Sequence, residues 1–82
     1  MKLSQLKAGQ SCIIESFTDA FLKLKLMEMG CIPGEIVEVV RLAPMGDPIA
    51  ISVANYTLSM RKEEADTVIV RMMEDGSLKS KV

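Results

Sequence analysis

The chain of 82 residues contains no histidine, and its aromatic side chains are confined to Phe17, Phe21 and Tyr56. With so few rings and a net charge of −1, it has neither a stacking platform nor a basic footprint, which excludes nucleic acid as a partner. A histidine base, a glycine-rich phosphate loop and a serine elbow are all missing, so triad hydrolysis and phosphoryl transfer lose their usual equipment and the chain reads as a non-enzyme. Long apolar runs are missing too. Lys23, Lys25, Glu28 and Glu38 interrupt them, and the amino terminus lacks an apolar segment followed by a cleavage site, which reads as a cytoplasmic protein. Cys12 and Cys31 allow one bridge at most. A small secreted domain needs a denser framework, so both are expected as reduced thiols.

What is present is a globular balance, with 49% hydrophobic and 26% charged residues. A chain this short buries only about 60% of its unfolded surface, so it forms one compact domain, expected over residues 1–73. Residues 74–82 have few apolar side chains and are expected to be a flexible tail.

The organising stretch is Leu26-Met27-Glu28-Met29-Gly30-Cys31-Ile32-Pro33-Gly34. Gly30, after the apolar run from Ala20 to Met29, predicts a left-handed helix cap in which the Cys31 amide reaches the Leu26 carbonyl and the two side chains touch. Pro33 and Gly34 suit a type II turn that starts the strand Ile36 to Leu42. A helix is thereby joined to a sheet.

Before that stretch, Ser4 to Lys7 predicts one helical turn capped by Ser4, docking Leu3 and Leu6. Ser11 to Phe17 reads as a strand whose mixed pattern leaves its inward face open. Thr18 or Asp19 caps the following helix. That helix carries two apolar strips, Ala20 with Leu24 and Met27, and Leu22 with Leu26 and Met29. Phe21 lies on the remaining side beside Lys25 and Glu28. Either a barrel wraps the helix deeply or some apolar surface is left for a partner.

Later, Ala43 to Pro48 is a loop, Ile49 to Val53 an alternating strand, and Asn55 a residue suited to a left-handed reversal. Thr57 to Met60 predicts a short strand with Leu58 and Met60 inward, Arg61 to Asp66 one helical turn, and Thr67 to Met72 the last strand. About five strands with tight connections suit a small closed or nearly closed β-barrel, mostly β, with one amphipathic helix after the first strand.

Leu26, Met29, Gly30, Pro33 and Gly34 resemble the leucine-glycine then proline-glycine signature of the ferrous iron transport protein A family, FeoA. Gly46-Asp47-Pro48-Ile49 and Leu58-Ser59-Met60-Arg61-Lys62-Glu63-Glu64-Ala65 are similar to that family as well, so the resemblance covers roughly residues 3–73. It implies a Src-homology-3-like barrel and a cytosolic accessory role in ferrous iron uptake, with the cytoplasmic or GTPase domain of a FeoB-like membrane transporter as partner. Membrane association is then expected only through that partner, and self-association stays open. Gly30, Pro33, Gly34 and Asn55 form the structural signature, Asn55 standing where many members have glycine. Phe21, Leu22, Lys23, Lys25, Leu26 and Met29 are the expected partner-binding residues.

Other candidates read as structural. Two thiolates without histidine do not complete an iron or zinc site. No cofactor or metal ligand is therefore assigned, and ferrous iron would be at most transient. Cys12 and Cys31 are read as packing thiols and the seven methionines mainly as core filler. Glu63, Glu64 and Asp66 are read as a solvated cap, and Arg41, Arg61 and Arg71 as surface pairs in preference to an arginine finger. The resemblance carries two alternatives: a regulatory domain acting in trans on a metal-dependent transcriptional repressor, because the fold resembles a domain of such repressors, and a weak iron-binding chaperone.

Overall fold

The computed structural model describes residues 1–73; the expected flexible tail, 74–82, lies outside the described residues. A 3-10 turn at Leu3–Gln5 leads to strand β1 (Ser11–Phe17), helix α1 (Ala20–Glu28), strands β2 (Ile36–Leu42), β3 (Ile49–Val53) and β4 (Tyr56–Met60), the single turn α2 (Lys62–Ala65) and strand β5 (Val68–Met72). The strands form one antiparallel sheet in the order β4-β3-β2-β1-β5. The chain is mostly β, as expected.

Closure is where the fold departs from expectation. β4 and β5 are the two ends of the sheet and share no ladder among the described residues. The edge of β5 is already occupied, since Lys2 bridges to Ile69 and the Val70 amide donates to the Met1 carbonyl at 2.7 Å. The sheet still surrounds one core. Cys12, Ile14, Val37, Val39, Ile51, Met60, Val68 and Val70 from all five strands join Leu3, Leu6 and Ala65 in it. The amino-terminal turn thus plugs the core as expected, but Ser4 is no cap: its hydroxyl donates to Asp66 Oδ1, tying the turn to α2.

The ambiguous face of β1 is resolved by a register shift between Ile14 and Ser16. A bulge inserts an unpaired residue and reverses the alternation beyond it. Cys12 and Ile14 therefore point inward before the bulge and Phe17 packs on the core after it. β2 repeats the device, with Val37 and Val39 inward, a shift between Val39 and Arg41, and then Leu42 against the core. At the β3–β4 turn both Ala54 and Asn55 have positive φ, 51° and 72°. A two-residue hairpin needs that at both positions, so β4 begins at Tyr56, one residue earlier than Thr57.

The helix-to-sheet joint forms as the sequence predicts. The Cys31 amide donates to the Leu26 carbonyl at 2.9 Å and the Gly30 amide to Met27 at 3.1 Å. Leu26 and Cys31 are both fully buried, and burying a leucine side chain contributes about 1.5–3 kcal/mol. The Glu35 amide then donates to the Ile32 carbonyl at 2.9 Å across Pro33-Gly34, with Gly34 at φ +96°. Gly30 has two reasons to be glycine. Its φ is +101°, and an added Cβ would lie 2.5 Å from Tyr56 Oη. Gly30→Ala should therefore cost at least about 1–2 kcal/mol, a fall in Tm of roughly 4–8 °C or more by thermal circular dichroism. An unchanged Tm would contradict the cap.

Candidate functional site

α1 is nine residues long, too short to hold its shape alone. Asp19 Oδ1 accepts from the Leu22 amide at 3.0 Å and starts it. Tertiary contacts then hold one side. Leu22, Leu26 and Met29 pack on the core, so the strip containing the cap residue Leu26 is the docked one. Two polar tethers act on the same side: Lys25 Nζ donates to Glu64 Oε2 at 2.6 Å, and the Tyr56 hydroxyl donates to the Met29 carbonyl.

The opposite side carries Phe21 at 89% exposure and Leu24 at 67%, a helical step of three apart, with Ala20, Lys23 and Glu28 also exposed. Residues three and four apart share a helix face, so Phe21 and Leu24 make one apolar spot rimmed by charge.

Of the six expected partner-binding residues, the structure brings Phe21 and Lys23 to the outward surface. Leu26 is wholly in the core and Leu22 and Met29 are half-buried against it, which corrects their placement on a surface; they dock the helix instead. Lys25 is half-exposed but its ammonium is engaged by Glu64. Leu24 was the residue missed. Its signal was already in the cap: once Leu26 must touch Cys31, the other strip has to point away.

Glu64 is a second correction. Read as part of a solvated cap, it is buried, with Oε1 accepting from the Arg61 amide at 3.0 Å and Oε2 from Lys25. No residue pattern signalled this, because Arg61 is not a capping side chain. Arg71 pairs with Glu15 at 3.1 Å on the exposed surface. Asn55 holds the hairpin turn, and Gly30, Pro33 and Gly34 hold the joint.

Lys25, Met29, Pro48, Ser59, Met60, Arg61 and Glu64 line a shallow groove of about 280 Å³ between α1 and β4. Its walls carry the Lys25–Glu64 ion pair, two thioethers and the Ser59 hydroxyl. Cys12 and Cys31 are fully buried free thiols. Burial pushes the Cys12 thiol up to about 11 and raises that of Cys31, so both are protonated at neutral pH and poor metal ligands. Among the described residues there is no group of three or more His, Cys, Asp or Glu side chains that could hold a metal ion, and no helix is long and apolar enough to cross a membrane.

Two measurements follow from these shifts. The hydrogen bond from Lys25, helped by the Arg61 amide and opposed by burial, holds the Glu64 carboxyl below its ordinary value of 4.5. A depressed carboxylate stabilises the fold fully above the unfolded value, and that contribution is lost as pH falls from there through the folded value. Tm should drop as pH is lowered from about 6 to 3, and Glu64→Gln should flatten this part of the curve while lowering the neutral-pH plateau by about 1–3 kcal/mol. Identical slopes in both proteins would remove Glu64 from the acid response. For the thiols, labelling by a disulfide reagent at pH 7.5 should be at least about tenfold slower in the native protein than in denaturant. Fast labelling of the native protein would refute their burial.

The comparisons agree with this architecture. The FeoA domain model matches residues 1–72. A FeoA/FeoB fusion protein of Porphyromonas gingivalis is 30% identical over 81 residues, covering 98% of this chain but 10% of the relative, so the chain spans about a tenth of that protein. The solution structure of FeoA from Chlorobium tepidum superposes with a TM-score of 0.82 at 36% identity, over 89% of this chain and 70% of that one. A zinc-complexed FeoA from Stenotrophomonas maltophilia, described as a prokaryotic SH3 domain protein, gives 0.75 at 32%, over 85% and 88%. The match of the family model to residues 1–72, together with superposition on solved FeoA structures at TM-scores of 0.82 and 0.75, places this chain in the FeoA domain family.

Proposed function

We propose that this domain is a non-enzymatic, cytosolic accessory of ferrous iron uptake that binds the cytoplasmic part of a FeoB-like transporter through the outward face of α1. The observation that carries the reading is Phe21, an aromatic ring 89% exposed on a helix whose other side is docked. A large exposed ring loses little conformational entropy on contact and is a frequent anchor of protein interfaces. Leu24 extends the spot and Lys23 and Glu28 supply a charged rim, the form of a helix laid into an apolar groove. The fused relative supports the partner. Joining two modules in one chain raises their effective concentration, which is of use when they work in contact.

Iron enters this proposal as the cargo of the partner. The buried, protonated thiols argue against direct iron handling by Cys12 and Cys31.

Association with the cytoplasmic domain of a FeoB-like transporter, measured by calorimetry with and without guanine nucleotide, tests the reading. Phe21→Asp should weaken it by at least about thirtyfold and Lys23→Glu by a few-fold, with Tm unchanged in both. Binding unaffected by Phe21→Asp and Leu24→Asp would remove α1 from the interface.

A further inference from the structure

Of the two sheet edges, that of β5 is covered by Met1 and Lys2, whereas among the described residues β4 has a neighbour on one side only. In a two-residue hairpin the pair flanking the turn exchanges both of its backbone bonds. Val53 and Tyr56 are that pair, so Tyr56, Leu58 and Met60 bond to β3 while the amides and carbonyls of Thr57 and Ser59 point off the sheet. Neither residue makes another backbone or side-chain bond there among the described residues, and both are exposed. Edge strands are ordinarily blunted by charge, proline or a bulge. β4 has none of these: it reads Tyr-Thr-Leu-Ser-Met and pairs with β3 without a register shift.

We propose that β4 is a self-association edge, on which a second copy of this chain adds its own β4 antiparallel about a two-fold axis through Leu58. This register sets Thr57 opposite Ser59 of the second copy, and Ser59 opposite Thr57 of the second copy. Both are outward-pointing residues, so each pair exchanges two backbone bonds and every free group of the edge is used. Small side chains at both positions keep the outer face clear.

Charge selects this occupant. At one end of β4 lie Arg61 and Lys62, and at the other the Ala54-Asn55 turn borders a recess lined by Glu35 and Glu38. Antiparallel addition lays Arg61 and Lys62 of the second copy across from Asn55 and Ala54, at the rim of that acidic recess, and the symmetry repeats the contact. None of these four charged residues is in an ion pair within the chain among the described residues. The edge is therefore complementary to itself. It leaves the outward face of α1 free and does not depend on the partner proposed above.

Sedimentation velocity of the full chain from about 10 µM to 1 mM should show a reversible, concentration-dependent dimer, weakened by salt. The double variant Thr57→Pro and Ser59→Pro removes only amides that face away from β3, which an edge strand tolerates, and should weaken the dimer at least tenfold while circular dichroism keeps the fold. Glu35→Lys with Glu38→Lys should weaken it by a similar factor, and adding Arg61→Glu and Lys62→Glu should restore it. The charge exchange decides the matter if the proline variant fails to fold. Phe21→Asp should leave the dimer intact. A monomer at every concentration, a proline variant that folds and dimerises like the parent, a charge exchange that restores nothing, or loss of the dimer in Phe21→Asp would each overturn the proposal.

Discussion

The contact between Leu26 and Cys31 is the joint on which the rest of the molecule turns. Gly30 bends the chain back at positive φ, the Cys31 amide closes on the Leu26 carbonyl, and both side chains enter the core. That single contact decides the rotation of α1 about its axis. A helix free to roll could present either of its apolar strips to the sheet; with Leu26 committed, Leu22 and Met29 follow inward and Leu24 is turned out. Pro33-Gly34 then aims the chain into β2 before the helix can drift.

Two polar bonds reinforce the joint from a distance in sequence. Tyr56, just past the β3–β4 hairpin, reaches the Met29 carbonyl, and Glu64 in α2 holds Lys25. The ion pair is one-sided in its exposure, with the carboxylate side chain 9% and the lysine side chain 56% accessible. Losing Lys25 would leave a buried carboxylate held only by the Arg61 amide, which costs more than the pair contributes. Held at its cap, its middle and its end, a nine-residue helix is presented in one orientation. A partner that binds it has little ordering left to do, and that favours affinity.

The open sheet bears on function in a second way. Because Met1 and Lys2 occupy the β5 edge, β4 has no second strand to pair with among the described residues, and the core is completed by the amino-terminal turn and α2 in place of a closing ladder. The fold thus keeps an exposed helix face and an exposed strand edge on separate elements. A transporter contact and a self-contact need not compete.

Local chemistry along the chain determined much of this protein: a side-chain cap at Thr18 or Asp19, the Gly30 cap with its Leu26–Cys31 bond, the Pro33-Gly34 turn and the succession of five strands along the chain were legible in the residues, because each depends on neighbours within a few positions. Tertiary structure alone decided the rest. The bulges in β1 and β2, the occupied β5 edge and the burial of Glu64 under Lys25 depend on groups far apart in the chain. Their residue types would suit either outcome, and only the space left around the shared core selects one.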